Sequence, residues 1–343
     1  MRVAAFTGGV SVPSARFRVR QYVPLLAAQG LYVEELPCRL GKYPPDGNIS
    51  RLAWGTLTFV EQCANAARTW SYDAVLLQRE IISTLISVES LTRTPRVLDV
   101  DDAIYLFRGG AVARRLAKLV EVVVCGNEYL AAWFRQFHDD VRVIPTGVDT
   151  RIYMPRRHGD VCRDEIVLGW IGTSSNFEAL YSVENALACV LQRFPHCRVR
   201  VISDRKPSLS SLPTQQFEFV HWSEATEVSS IQGIDIGLMP LIDTEWARGK
   251  CSFKMIQYMA CGVPSVVSPV GMNRDVLALG RGAFAATDEQ EWIDALGRLI
   301  ASPELRASMG ETARQIACAN FDIERLAPKL GAALRDAHGK CSP

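Results

Sequence analysis

"WARGKCSFKMIQYMACGVPSVVSP", residues 246–269, sets Arg248, Lys250 and Lys254 ahead of an apolar, helix-period stretch that runs straight into a Pro-bounded β segment. If the helix begins near Lys250, then Lys250, Lys254 and Gln257 follow one face at i, i+4, i+7, while Phe253, Ile256 and Ala260 follow another. Cations near a helix N-terminus are disfavoured by roughly 0.3–1 kcal/mol each, so their placement points to an anion held at that end. The competing reading is a solvated amphipathic helix whose Lys stems lie over apolar neighbours.

Outward from this stretch, short β-rich runs alternate with helix-period segments along the chain. "RVAAFT", 14–29, "YVEELP", 50–70, "DAVLLQ", 83–93, "RVLDV", 110–118, "EVVVC", 127–137 and "VRVIP" make one such series. After the polar connection "PTGVDTRIYMPRRHGDVCRDE" the pattern restarts with "IVLGWIG" and ends near "PSVVSP". Alternation of this kind predicts crossover units on parallel sheets with helices on both faces. The expected class is α/β with two Rossmann-like, doubly wound domains: 1–150, a linker at 151–164, 165–320, and a C-terminal helix at 321–343 that packs back on the first domain. In the helical tail, "SPEL" and "FDIE" mark helix starts.

Composition narrows the partners. With 38 Lys and Arg against 37 Asp and Glu, the net charge is +1, which gives no field for a nucleic acid and leaves only local anion sites. The apolar run at the start is too short for a signal sequence, and no stretch is long enough to span a membrane, so a cytoplasmic location is expected. Ten Cys without Cys-x-x-Cys spacing read as reduced core thiols, and five scattered His argue against a structural zinc site; the Gly-Gly after the first strand lacks dinucleotide and P-loop spacing, so no cofactor is expected.

In open α/β sheets ligands gather beyond the carboxyl ends of strands, which directs attention to four places. After the first strand, Gly8 and Gly9 allow close backbone approach and Ser14 is a candidate helix cap, with Arg16 and Arg20 on one helix face and Arg18 turned away. After "RVL", Asp99, Asp101 and Asp102 read as metal ligands, as carboxylates orienting an acceptor hydroxyl, or as caps. "GWIGTSSN" offers Gly172, Thr173 and Ser174 as an anion nest ahead of a helix. Trp170 and Trp222 are candidates for stacking.

With those residues in view, the chain resembles the GT-B-fold retaining glycosyltransferases, the large family that includes sucrose and mannosyl transferases. "VRVIPTGVD" looks like that family's interdomain turn, and "DIGLMP" through "IQYMACGVPSVVSPVGMNRDV" is similar to its Leu-Glu-Ala-Met-Ala-x-Gly-x-Pro-Val-Val segment and the motif that follows. The resemblance implies a nucleotide sugar held in a cleft, chiefly by the second domain, with metal-independent transfer and retained configuration. It assigns leaving-diphosphate stabilisation to Lys250, Lys254 and the amides after Gly271 (Met272, Asn273), with Arg248 supplying further charge.

The chain departs from that pattern. The usual Glu pair stands as Gly249 and Gln257, the latter able to reach ribose hydroxyls, and the usual basic pair after the first strand of the second domain reads "GTSSN". The first-domain His is replaced within "DVDD", with Asp101 taking the catalytic place. The expected activity is sugar transfer from a UDP- or GDP-linked donor to a sugar, lipid-linked or small hydroxyl acceptor. An epimerase and a non-catalytic binding protein are the alternatives. The basic segment with Arg108, Arg114, Arg115 and Lys118 is weighed as a weak peripheral contact with an anionic inner membrane face, against an ordinary surface helix.

Overall fold

The computed structural model describes residues 1–9, 12–42, 44–82, 87–156 and 165–341. The chain divides into two compact units: Met1–Gly147 with Gly249–Cys251 and Ile323–Pro343, and Val148–Arg248 with Ser252–Asp322.

In the first unit, β1 (Arg2–Thr7), β2 (Tyr32–Pro37), β3 (Ala74–Gln78), β4 (Arg96–Val100), β5 (Val122–Cys125) and β6 (Val141–Val143) form a parallel sheet in the order β2-β1-β3-β4-β5-β6. β3, β4 and β5 are buried along their whole lengths, as parallel strands covered on both faces require. The helix Ile323–Cys341 seats Ile323, Leu326, Leu330 and Leu334 among Val3, Ala5, Leu76, Val97 and Val124, so the end of the chain completes the core begun by its start. Such fully buried aliphatics contribute about 1.5–3 kcal/mol each.

The expected helix over 14–29 is broken into Pro13–Arg18, a 3-10 turn at Arg20–Tyr22, and Val23–Ala27. Pro24 has no N–H to return to an uninterrupted helix. Ser14 does not cap the first piece: its hydroxyl is buried without a hydrogen-bond partner among the described residues, and Val12 holds the cap position. In the expected helix over 83–93 a 3-10 turn, Glu89–Leu91, is found; residues 83–86 lie outside the described set. The helix Asn48–Arg68 is inverted in polarity. Thr58, Gln62, Asn65 and Ala66 face inward at i, i+4, i+7, i+8, while Ile49 (88% exposed), Leu52 (74%) and Val60 (61%) face out.

In the second unit, β7 (Ile166–Ile171), β8 (Cys197–Ser203), β9 (Phe217–His221), β10 (Ile236–Met239), β11 (Ser265–Val267) and β12 (Ala283–Ala285) form a parallel sheet in the order β12-β11-β10-β7-β8-β9. β12 was not expected; three residues are too short to show a period. Trp170, Leu187, Val199, Leu238, Val266, Trp292 and Leu296 share its core. Asp288 and Ser302 cap the helices Glu289–Ala301 and Pro303–Asn320 by accepting from the amides of Glu291 (2.8 Å) and Leu305 (3.1 Å), which makes "SPEL" a helix start in fact.

The "PTGVD" turn is followed by residues fixed to this unit. Arg314 donates to the carbonyls of Thr150 (2.7 Å), Tyr153 (2.6 Å) and Ala260 (2.6 Å). Of the expected linker, 157–164 lie outside the described residues. The strand order reverses direction between β1 and β3 in one unit and between β7 and β10 in the other, and ligands of such sheets bind beyond the carboxyl ends at these switch points.

Candidate functional site

Beyond β1 and β3, the first unit gathers charge. Arg79 and Glu80 directly follow β3, and Arg79 adopts a left-handed backbone (φ 63°) that costs a non-glycine residue energy. Its Nε donates to Asp101 at 2.5 Å and its second terminal nitrogen meets Asp102 at 2.6 Å. Burial raises the Asp101 carboxyl, but Arg79, Arg18 and Lys42 outweigh it and hold the group below the usual range. Burial pushes Asp102 up to about 6; Arg79 opposes this and the neighbouring Asp101 charge adds to it. The two adjacent carboxylates thus differ in basicity, and Asp102 is the more basic.

Lys42, from the loop after β2, enters the same place. It is 4% exposed, and its Nζ has no hydrogen-bond partner among the described residues. Burial lowers it to about 8, Arg79 adds to the lowering, and Glu80, Asp101 and Asp102 oppose it. A Cβ on Gly8 would stand 2.9 Å from Lys42 Cδ, so this glycine admits the lysine stem. Gly9 (φ 122°) has its would-be Cβ 2.9 Å from the Cys38 carbonyl oxygen and thereby admits the β2 loop. These are packing roles, in contrast to the ligand approach expected of the two glycines. Arg16 is half-buried, its guanidinium over the Phe17 ring.

Asp99 departs from expectation more sharply. It is 1% exposed and accepts two bonds from Arg18, at 2.5 and 3.0 Å, while Arg18 also donates to the Ile144 carbonyl and Thr146 Oγ1. Arg18, expected to point away, is buried, and the Asp99 charge outweighs burial to keep it protonated. Asp99 is therefore a buried support beneath the site, its carboxylate engaged by Arg18.

Lys250 is not on the helix with Lys254. The segment Gly249–Cys251 belongs to the first unit, where Asn127, which caps the helix Glu128–Phe134 by accepting from Leu130 N, donates to the carbonyls of Gly249 (3.0 Å) and Lys250 (3.1 Å). Cys251 Sγ donates to the Asp101 carbonyl at 3.2 Å. Lys250 is half-buried and its ammonium is lowered by burial, with Asp102 opposing. No side chain fits at position 249: a Cβ there would lie 2.8 Å from Ala103 Cβ and 3.2 Å from Ala103 N, which accounts for a glycine at this position.

In the second unit the helix begins at Phe253 after Ser252, a left-handed residue (φ 51°), and runs to Ala260. Lys254 lies in its first turn, half-buried, with its ammonium 5.3 Å from the centroid of the buried Trp170 ring. A Cβ on Gly172, just past β7, would be 2.6 Å from Lys254 Cε. The expected nest at 172–174 is occupied from within: the Ser174 amide and hydroxyl donate to Asp204 at 2.6 and 2.8 Å, and the exposed Thr173 hydroxyl bonds Ser175. Arg248 ends the short helix Glu245–Arg248 and is paired with Asp243 at 2.7 Å on the surface. Gly271 (φ 53°) is needed because a Cβ would stand 2.5 Å from the Arg248 carbonyl oxygen. The Met272 side chain is buried, and the Asn273 side chain is enclosed, accepting from Ser252 Oγ (2.6 Å) and donating to the Ser268 carbonyl (2.8 Å).

Gln257 is also enclosed. Its amide nitrogen donates to Glu227 (3.2 Å) and to Tyr153 Oη (3.3 Å), while Tyr153 Oη and Trp222 Nε1 (2.9 Å) donate to the same Glu227. A glutamate at 257 would put a second carboxylate beside Glu227, so an amide here is the electrostatically consistent residue. The amide is spent on this node, not on a ribose.

Sequence reasoning missed Lys42, Arg79, Glu80, Glu227 and Tyr153. Arg79 and Glu80 follow a strand directly, the position already singled out for inspection. Lys42, five residues beyond Pro37 at the end of β2, carried no local signal.

Residues 165–302 match the family described as glycosyl transferases group 1. A D-inositol 3-phosphate glycosyltransferase of Corynebacterium urealyticum is 24% identical over 208 residues, covering 56% of this chain and 48% of that protein; the chain spans about half the length of this curated relative. Among solved structures, sucrose-phosphate synthase of Thermosynechococcus elongatus superposes with a TM-score of 0.72 at 14% identity, over 99% of this chain and 100% of that one. The HepE protein of Anabaena, solved with UDP and glucose, gives 0.72 at 16% identity over 97% and 99%. Residues 165–302 thus match the glycosyl transferases group 1 model, and the two-sheet α/β architecture has the GT-B fold of these solved neighbours.

Proposed function

We propose that this chain moves a sugar from a UDP- or GDP-linked donor to a hydroxyl acceptor, with retention of anomeric configuration and without a metal. The observation that carries this reading is Lys254, a cation seated against Gly172 at the β7/β10 switch point of the group 1 domain. A fixed ammonium there stabilises the charge that develops on a departing diphosphate. In the first unit, Asp102 is the carboxylate best suited to accept a hydrogen bond from the acceptor hydroxyl, with Asp101 held ionised by Arg79. Support for the donor class comes from HepE, which was solved with UDP and glucose.

Lys254→Ala loses on the order of 10² in turnover with donor and acceptor present, the cost of one transition-state charge contact. Wild-type turnover in that variant removes the assignment. Incubation with donor alone separates the alternatives: an epimerase converts it, a transferase does not. Thermal shifts with UDP, GDP, ADP and dTDP rank the donor base by mass action.

A second reading places the acceptor at the inner face of a membrane. No helix among the described residues is long and apolar enough to cross one. The outward Ile49, Leu52 and Val60 of the helix Asn48–Arg68 and the exposed Arg114, Arg115 and Lys118 of the helix Ala111–Leu119 favour peripheral contact. Flotation with anionic vesicles, lost in an Ile49→Ser/Leu52→Ser variant, supports it; absence of flotation by the wild type removes it.

A further inference from the structure

Lys42 has no place in the donor chemistry above, yet it is the most conspicuous polar group of the first unit. A lysine ammonium has three N–H donors and no acceptor, and burying such a group without hydrogen bonds is unfavourable. The fold nevertheless keeps it there, its stem lying against Gly8 at the end of β1, beside the β1/β3 switch point. The groups acting on its ammonium are Arg79 and Glu80, at the carboxyl end of β3, and Asp101 and Asp102, at the carboxyl end of β4. Arg79 is held among them in a left-handed conformation, a strain that recurs where function requires it.

The charge balance decides what such a place can take. Lys42, Arg79 and Lys250 stand against Glu80, Asp101 and Asp102, and the Arg18–Asp99 pair beneath is neutral by itself. A phosphate or carboxylate entering here would bring uncompensated negative charge into a partly buried site already holding three carboxylates. A neutral polyol brings none. A hydroxyl oxygen accepts from the ammonium while a neighbouring hydroxyl donates to a carboxylate, so a vicinal diol uses both polarities at once.

We propose that Lys42, with Asp101 and Asp102, forms the subsite that binds a neutral sugar acceptor through a vicinal diol. This rests on the sugar-transfer reading for the word acceptor, but the binding itself does not need a donor and is tested without one.

The test uses the full chain and a thermal-shift and calorimetric panel. Methyl α-glucoside, methyl α-mannoside and methyl α-galactoside are compared with their monodeoxy derivatives, with glucose 6-phosphate and with glucuronate; UDP and GDP form a separate arm that reads the donor site. The wild type binds at least one neutral glycoside, binds a monodeoxy derivative of it about tenfold or more weakly, and does not prefer the anionic sugars. Lys42→Met loses about tenfold or more in affinity for that glycoside while its nucleotide response stays that of the wild type.

Lys42→Arg, which keeps the charge but changes the donor geometry, serves if the Met variant does not fold; it loses the same discrimination against deoxy sugars. Three results overturn the proposal: tighter binding of the anionic sugars, equal affinity of wild type and variant, or no binding of any neutral glycoside by the wild type at about 50 mM. Loss of the nucleotide response in the wild type, with glycoside binding intact, instead counts against the donor assignment.

Discussion

The two units solve one steric problem in the same way and arrive at different chemistry. Each begins with a strand followed directly by a glycine, and in each a lysine stem occupies the space a Cβ would fill: Lys42 against Gly8 after β1, Lys254 against Gly172 after β7. The first lysine arrives from a loop and is set among carboxylates; the second arrives from the first turn of a helix and lies over an indole. A missing side chain at the switch point therefore fixes where a cation goes, and the surroundings fix what it can hold. Carboxylates suit hydroxyl groups, and an aromatic face holds a cation by the ring's quadrupole.

The comparison breaks most severely in the first unit, whose charged groups rest on a buried ion pair. Arg18→Met strands the Asp99 carboxylate beneath the site and costs about 3–5 kcal/mol of stability by denaturant titration. A loss below 1 kcal/mol would show that the pair does not support the site. Next come the glycines. Gly8→Ala and Gly172→Ala each overpack a lysine stem and cost about 1–3 kcal/mol, and the Gly172 change lowers turnover as well by moving Lys254. If Gly8→Ala is neutral in stability and in sugar binding, Lys42 does not depend on that space.

The gentlest probe is pH. Lys42 is held at about 8 in the fold against 10.5 for the unperturbed group, so between those values the unfolded chain carries a proton that the folded chain has lost, and this group's contribution to stability rises with pH. In equilibrium unfolding from pH 7 to 11, the stability of Lys42→Met relative to wild type is highest below pH 8 and falls by up to about 3 kcal/mol toward pH 10.5. A difference independent of pH would mean that the ammonium is not desolvated.

Much of the architecture was legible because buried parallel strands are written as apolar runs such as "VAAF" and "AVLL", and because "SPEL" names its own helix start. The site was less so. Helical spacing put Lys250 and Lys254 on one face, but Ser252 in a left-handed conformation stops the helix short, and Asn127, 122 positions away, claims the Gly249 carbonyl for the other unit. Long-range hydrogen bonds of that kind leave no periodicity to read. Nor does burial of a charged pair: Arg18 and Asp99 look like surface residues until the fold sets them 2.5 Å apart. Gln257 and Gly249, by contrast, read as departures from a family pattern, and both have local causes in Glu227 and Ala103.

The helix Ile323–Cys341 carries a consequence for how the protein is made. It covers the face of the first sheet formed by Val3, Ala5, Leu76, Val97 and Val124, yet it leaves the ribosome only after the whole second unit has been synthesised. At about 5–20 residues per second, that apolar face waits on the order of ten to forty seconds for its cover. The second unit, complete within its own stretch apart from the Gly249–Cys251 excursion, can close its core before the first unit is covered.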